Sequence, residues 1–97
     1  MRNNKKKQPK VSIILPVYNG ENYVENCLKS ILGQTLSEIE IICMDDGSND
    51  NTGMILDKMA AQDSRVQVFH KQNTGYGNTM NLGISKGRGE YVGIVES

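Results

Sequence analysis

The stretch Glu38–Thr52, E-I-E-I-I-C-M-D-D-G-S-N-D-N-T, decides the fold of this chain. Its mostly apolar run, Ile39–Met44, is rich in β-branched residues and is followed by two adjacent carboxylates and a turn. Such a run predicts a buried strand of a parallel sheet. Ligands of open α/β sheets bind beyond the carboxyl ends of the strands. Asp45 and Asp46 are therefore candidates for contacts to a ligand donor or a metal.

Strands and helices are predicted to alternate on both sides of this stretch. The other predicted strands are Val11–Leu15, which Pro16 ends because it lacks an N–H, Val66–His70, and Tyr91–Val95, expected to be buried. The predicted helices are Glu21–Gly33, a second one that ends at Gln62 with Asp50 or Thr52 as its N-cap, and Asn78–Lys86, whose inner face carries Met80 and Ile84. This alternation predicts an α/β fold of Rossmann-like, three-layer α/β/α type with a mainly parallel sheet.

The bulk composition narrows the class of protein. Ninety-seven residues are enough for one small domain. Eleven basic and eleven acidic residues balance, so no global charge favours nucleic acid as a partner. Cys27 and Cys43 lack CxxC spacing, which predicts buried, reduced thiols and a cytoplasmic protein. No apolar run approaches the roughly 18 residues that a membrane span needs.

The first ten residues, M-R-N-N-K-K-K-Q-P-K, are polar and cationic. They predict a disordered basic lead-in over residues 1–10, which leaves residues 11–97 as the domain. The basic run Lys5–Lys7 could contact an anionic membrane surface, where each basic residue contributes about 1 kcal/mol. A solvated tail is favoured, and peripheral attachment at the inner face of the membrane stays open.

Four motifs occur in order along the chain. They are V-S-I-I-L-P-V-Y-N-G at 11–20, M-D-D-G-S-N-D-N-T at 44–52, N-T-G-Y-G-N-T-M-N-L-G at 73–83 and G-R-G-E-Y-V-G-I-V-E-S at 87–97. Each is weak alone, but the ordered set resembles the family 2 glycosyltransferases, inverting enzymes of the GT-A fold. The resemblance implies the N-terminal, nucleotide-sugar-binding half of that fold. It also implies transfer of a sugar from a nucleotide-sugar donor, with UDP favoured, to a saccharide or lipid-linked acceptor in cell-wall or exopolysaccharide synthesis.

The loop after the first strand cradles the donor nucleotide in this family. That role maps onto Pro16, Val17, Tyr18 and Asn19. Tyr18 offers an aromatic face to a uracil ring, although it could instead cap the edge of the sheet. Glu21 is commonly acidic in the family, and N-capping of the first helix would explain it equally well.

Of the two adjacent carboxylates, Asp45 matches the family residue that accepts a hydrogen bond from the base. A charge-assisted bond of this kind contributes roughly 1.5–3 kcal/mol. The alternative is a turn-forming role, because D-D-G-S is favourable turn chemistry. The motif match favours the binding role for Asp45, while the two roles stay evenly weighed for Asp46.

The segment after the third strand is expected to lie near the donor diphosphate. Gly75, Gly77 and Asn78 are the candidates, because glycines allow close backbone approach and a helix N-terminus favours phosphate. The family often carries a basic residue here, where this chain has Asn78 and Met80. The G-Y-G-N-T-M run lacks the third glycine of a dinucleotide fingerprint and follows the wrong strand, so NAD is not expected. His70 is expected to be structural.

The last predicted strand leads into the position of the family's DxD motif, whose carboxylates hold Mn²⁺ or Mg²⁺ on the donor diphosphate. Glu96 would occupy the first acidic position, and the chain ends at Ser97. The metal-binding pair, the acceptor half and the catalytic base are therefore expected to lie outside this chain. Two hypotheses stay open, a fragment of a glycosyltransferase and an inactive nucleotide-binding module. The last strand should form an exposed sheet edge through which the fragment dimerises.

Overall fold

The computed structural model describes residues 9–34 and 38–95, so most of the predicted lead-in and Glu96 lie outside the described residues. The elements are β1 (Val11–Val17), α1 (Val24–Gln34), β2 (Ile39–Asp46), α2 (Thr52–Gln62), β3 (Val66–Lys71), α3 (Tyr76–Lys86) and β4 (Tyr91–Ile94). All strand pairs are parallel, in the order β3-β2-β1-β4. The predicted α/β fold with a parallel sheet is confirmed. No helix in these two ranges is long and apolar enough to cross a membrane.

The central strand β2 is buried along its whole length and carries core residues on both faces. Because successive strand residues point to opposite faces, Ile41 and Cys43 pack beneath α1 and α2, whereas Ile42 and Met44 pack beneath α3. The result is the expected α/β/α layering. Cys43 is fully buried, and this burial raises the pKa of its thiol to about 12, as expected for an inert core cysteine. Cys27 is a free, half-buried thiol.

Strand β1 continues through Pro16, so the prediction that Pro16 ends it is wrong. Alternate residues of a parallel strand bond to opposite neighbours. The Ile14 carbonyl accepts a bond from the Val95 N–H at 3.0 Å, and Pro16 lies on the same β4 side, two residues further on. On that side Pro16 lies beyond the last residue of β4. Its missing N–H therefore does not interrupt the pairing of β1 with β2.

Helix boundaries and one helix face also differ from prediction, and the N-cap of α2 is Asn51. Helix α1 begins at Val24 and continues past Gly33, because Gly33 does not adopt the positive φ of a C-cap glycine. Helix α3 begins at Tyr76, and its Ile84 is exposed. The helix instead approaches the sheet through Gly83, where a Cβ would lie 2.6 Å from Cγ2 of Ile14.

Strand β4 forms one edge of the sheet, as predicted, but it is not buried. Tyr91, Val92 and Ile94 are each about half exposed or more. An apolar run predicts a strand, but burial also requires cover, and no described element pairs with the far edge of β4. Association through this edge stays a prediction, which light scattering of the chain would test.

At the amino end of the sheet, Glu40 is buried within the apolar run of β2. Its carboxylate accepts bonds from the Ser12 hydroxyl, from Gln67 Nε2 at 2.8 Å and from the Arg88 N–H at 2.6 Å. Burial raises the pKa of Glu40, but these hydrogen bonds outweigh burial and lower it. Glu40 therefore joins three strands to the connection between α3 and β4.

Candidate functional site

A pocket of about 590 Å³ opens at the carboxyl ends of β1 and β2, a size typical of small-molecule sites. It lies at the point where the strand order reverses, since the chain leaves β1 toward β2 and returns to the other side as β4. Five of the residues selected from the sequence line it: Pro16, Val17, Tyr18, Asp46 and Gly75. Four others also line it: Tyr23, Asn73, Tyr76 and Thr79.

The two adjacent carboxylates point to opposite faces of the sheet, because both belong to β2 rather than to the turn that follows. Asp46 faces α3 and lines the pocket. Asp45 faces α2 and does not line the pocket. Its Oδ1 accepts the Ser48 N–H at 3.0 Å, and its Oδ2 lies 2.8 Å from Nδ1 of His70. The turn-stabilising role considered for Asp45 is therefore present in the structure.

Asp46 is ionised and partly saturated with hydrogen bonds. Its Oδ1 accepts bonds from Nζ of Lys71 at 2.7 Å and from the Thr74 N–H at 3.0 Å, while its Oδ2 accepts the Gly75 N–H at 3.2 Å. Burial raises the pKa of Asp46, but the bonds from Lys71, the Thr74 N–H and Thr79 outweigh burial and lower it. These donors, Thr79 among them, hold the charged carboxylate at the pocket wall.

Three exposed tyrosines line the pocket. Tyr18 and Tyr23 come from the connection between β1 and α1, and Tyr76 is the first residue of α3. Only Tyr18 was selected from the sequence. Tyr23 lay in a segment predicted to be helical, and Tyr76 lay in a segment predicted to be a loop. An aromatic residue immediately before or at each helix start was the signal that could have identified both.

Asn19 and Glu21, also selected from the sequence, do not line the pocket. Asn19 adopts the left-handed conformation with φ of 53°, which places residues 18–21 against the turn 48–52. The two segments exchange bonds in both directions: Asn19 N–H to Ser48 Oγ (2.9 Å), Asn49 N–H to Asn19 Oδ1 (2.8 Å), Gly20 N–H to Thr52 Oγ1 (2.7 Å) and Asn51 N–H to Glu21 Oε1 (3.0 Å). We call this contact the loop pair. It holds the segment that carries Tyr18.

The turn after β2 also abuts the loop after β3. Gly47 has a φ of 73°, and a Cβ on it would lie 2.6 Å from the backbone nitrogen of Asn73. Only glycine combines that conformation with that approach. The turn after β2 thus contacts both of the other segments around the pocket.

The predicted diphosphate candidates divide between the pocket and the body of α3. Gly75 lines the pocket and precedes α3 with a φ of 93°. Gly77 and Asn78 lie in the first turn of α3 and do not line the pocket, and Nδ2 of Asn78 bonds to the Thr74 carbonyl at 3.2 Å. Met80, at a position related to the family's basic residue, is buried against Ile14 and Met44. It belongs to the core.

His70 bridges two carboxylates on the face opposite the pocket. Its Nδ1 lies 2.8 Å from Asp45 Oδ2, and its Nε2 lies 2.8 Å from Asp57 Oδ1. The hydrogen bonds to Asp45 and Asp57, in that order of strength, raise the pKa of His70 above its ordinary value. The bridge ties the end of β2 to α2, which agrees with the structural role expected for this histidine.

The residues at the pocket do not by themselves fit a metal centre. Within residues 9–34 and 38–95, no group of three or more His, Cys, Asp or Glu side chains could hold a metal ion. Asp46 is the carboxylate among the described residues that line the pocket, and its oxygens already accept three hydrogen bonds.

Comparison with known proteins identifies the class to which this fold and pocket belong. The model of the family "Glycosyl transferase family 2" matches residues 12–97. The uncharacterized glycosyltransferase EpsJ of Bacillus subtilis (strain 168) is 47% identical over 88 residues, which are 91% of this chain and 26% of EpsJ. Glycosyltransferase GlyG of Streptococcus pneumoniae serotype 4 is also 47% identical over 88 residues, 90% of this chain and 29% of GlyG. The chain belongs to glycosyltransferase family 2.

Solved structures agree with this assignment. The crystal structure of S. aureus TarS 1-349 in complex with UDP-GlcNAc is 32% identical, with a TM-score of 0.81 over 90% of this chain and 26% of that one. The mannosyltransferase PcManGT from Pyrobaculum calidifontis, in complex with GDP-Man and Mn²⁺, has a TM-score of 0.82 over 93% of this chain and 28% of that one. At 23% identity it shows the fold alone. The chain spans between a quarter and a third of the length of EpsJ and GlyG.

Proposed function

We propose that the pocket binds the nucleoside diphosphate of a nucleotide-sugar donor, with a uridine nucleotide favoured. The observation that carries this proposal is an ionised carboxylate at the pocket wall, that of Asp46, whose oxygens accept hydrogen bonds. Uracil presents an N3–H donor that such an oxygen can accept, whereas cytosine presents an unprotonated nitrogen at the same place. The complexes of TarS with UDP and UDP-GlcNAc support a uridine donor.

The base contact is assigned to Asp46 instead of Asp45, the residue that the sequence favoured. Asp45 faces α2, and its Oδ2 is paired with His70. Tyr18, exposed on the pocket wall and held by the loop pair, offers an aromatic face to the base. Pro16 and Val17 supply the apolar lining at the end of β1.

The diphosphate is assigned to the start of α3. Gly75 lines the pocket, and the helix N-terminus favours negative charge. A Cβ on Gly77 would meet open space, so a ligand can approach the first turn of α3, where Asn78 also lies. Lys71 is engaged with protein oxygens, which leaves backbone N–H groups as the described donors to phosphate.

In the parent enzyme, Mn²⁺ or Mg²⁺ held by residues outside the described ranges, Glu96 adjoining them, would neutralise charge on the departing diphosphate. The reaction proposed for that enzyme is transfer of the sugar, with inversion, to a saccharide or lipid-linked acceptor at the cytoplasmic side of the membrane. Relatives named hyaluronan synthase and chondroitin synthase, each 37% identical, support polysaccharide synthesis. The second candidate is a nucleotide-binding module without activity, favoured by Asp46 being the carboxylate among the described residues that line the pocket.

A titration of the chain with UDP tests this proposal through backbone amide chemical shifts. We expect shifts at Val17, Tyr18, Asp46 and Gly75 that do not change when Mg²⁺ is added, since the metal ligands are not among the described residues. CDP is the matched control, because its base lacks the N3–H, and it should bind more weakly. Absence of shifts, or an equal response to CDP, would contradict the base contact with Asp46.

Addition of acceptor saccharides separates the two candidates. A parent enzyme that includes this chain should release UDP only when the acceptor is present. A module without activity should bind UDP and release nothing from UDP-sugar.

A further inference from the structure

Lys71 ends β3 and carries its ammonium group beneath the pocket. Its side chain is only 16% exposed, which is unusual for a lysine. The ammonium nitrogen is close to four protein oxygens: Asp46 Oδ1 (2.7 Å), the Gln72 carbonyl (2.7 Å), Thr74 Oγ1 (2.6 Å) and Thr79 Oγ1 (3.1 Å). An ammonium group has three protons, so these contacts leave no donor for a ligand. Lys71 is therefore not placed to contact a nucleotide.

Three of these oxygens, those of Gln72, Thr74 and Thr79, belong to the segment that forms one wall of the pocket. Thr74 and Thr79 lie on either side of Gly75 and Tyr76, which line it. Asp46 binds the same segment from the other direction, through the N–H groups of Thr74 and Gly75. Lys71 and Asp46 together clamp the segment to the ends of β2 and β3.

The pairing also fixes how Asp46 presents its oxygens. Lys71 and the Thr74 N–H both bond to Oδ1, while the Gly75 N–H bonds to Oδ2. Among the described residues, Lys71 is the cation that pairs with Asp46. The other titratable groups on the pocket wall are the phenols of Tyr18, Tyr23 and Tyr76, and the neighbouring Asp45 faces the opposite side with His70.

We infer that Lys71 is a positioning residue for the nucleotide site, which holds Asp46 charged and oriented and keeps the segment from Thr74 to Thr79 against the pocket. Uridine nucleotide affinity therefore depends on Lys71 although Lys71 does not touch the nucleotide. This inference rests on the proposed function, because it assigns a role within the same pocket. In this inference, the positive charge of Lys71 supports the contact between Asp46 and the base and does not bind the phosphates.

The test compares Lys71→Met with Lys71→Arg and with Lys58→Met, a matched change at an exposed lysine of α2. Binding of uridine, UMP and UDP is measured by calorimetry from pH 5 to 8. We expect Lys71→Met to weaken all three by a similar factor of about tenfold at pH 5, with partial recovery at pH 8 as Asp46 ionises without its cation. Lys71→Arg should be intermediate, because a guanidinium is larger than the compact site. Lys58→Met should change nothing.

Several results would overturn the inference while leaving the proposed function in place. If Lys71→Met binds the nucleotides as tightly as the wild type does, Lys71 has no positioning role. If its affinity is reduced equally at every pH, Lys71 does not act by keeping Asp46 charged. A loss for UDP without a loss for uridine would make Lys71 a phosphate contact. Absence of binding by the wild-type chain would instead contradict the proposed function.

A measurement on the unaltered chain guards against misfolding of Lys71→Met. The Asp46 side-chain carboxyl carbon, followed by NMR as a function of pH, should titrate below the range of an ordinary aspartate. The same carbon should respond to uridine at neutral pH. A titration in the ordinary range would contradict the role of Lys71.

Discussion

The two faces of the sheet use adjacent, equally buried carboxylates for different purposes. Asp45 is 5% exposed and Asp46 is 6% exposed, and both are bonded to a basic side chain of β3. On the α2 face, Asp45 joins His70 in a bridge to α2 and does not line the pocket described above. On the α3 face, Asp46 lines that pocket. Residue type and burial therefore do not distinguish a carboxylate that lines the pocket from one that does not, whereas the direction of the side chain does.

The largest effect is expected when each of the two carboxylates is neutralised in turn, which tests the difference between the two faces. Asp46→Asn should weaken UDP binding by roughly 10- to 100-fold, because a charge-assisted hydrogen bond contributes about 1.5–3 kcal/mol. Asp45→Asn is the matched control and should change the affinity by less than about threefold. Calorimetry at pH 7 measures both. A larger loss for Asp45→Asn would reverse the assignment of the two faces.

The packing on the two faces of the sheet can be compared by substituting the glycine at which each of the helices α2 and α3 approaches the sheet. Gly83→Ala in α3 would bring a Cβ to 2.6 Å from Ile14 and 3.0 Å from Met44, so the free energy of unfolding should fall by about 1–3 kcal/mol. Gly53→Ala in α2 would meet the Asp45 carboxylate at 3.1 Å and the His70 ring at 3.3 Å. These side-chain ends can shift, and the loss should stay below about 1 kcal/mol. Urea unfolding of both variants gives the order, and the reverse order would contradict this account of the packing.

The smallest expected effect is a pH dependence confined to the α2 face. The pKa of His70 is raised in the folded chain, so its contribution to stability is fully present below the ordinary histidine pKa and is lost as pH rises through the folded value. His70 and Asp57 are largely exposed, and solvent screening keeps the effect below about 1 kcal/mol.

Unfolding of the wild type and His70→Gln between pH 5.5 and 9 measures this contribution. The stability difference between the two should shrink as pH rises, and Asp45→Asn should reduce it throughout. A difference that grows with pH would show that neutral His70 is the favoured form.

The alternation of strands and helices and the edge that carries the pocket could be predicted from the sequence, whereas the direction of each carboxylate could not. An amphipathic strand reveals its register through alternation, but β2 is apolar on both faces and gives no such signal. The sequence predicts a strand that stops at Met44, with the two carboxylates after it and before the turn. Extension of β2 to Asp46 places them on opposite faces, because the side-chain period is two residues.

Other features depend on partners that are distant along the chain. Glu40 looks anomalous in an apolar run until Arg88, 48 residues away, is seen to donate to it. Glu21 and Asn19 were selected as ligand contacts, yet they bond to a turn about 30 residues further on. A single sequence shows which residues are polar, but it does not show which of them satisfy one another.

The loop pair has a consequence for exchanging parts between relatives. Residues 18–21 and 48–52 supply each other's hydrogen-bond partners. A chimera that receives only the first segment from another glycosyltransferase would leave backbone N–H groups of the second without acceptors. Any graft intended to alter the donor preference must therefore transfer both segments, which makes the pair, rather than either loop, the interchangeable module of this domain.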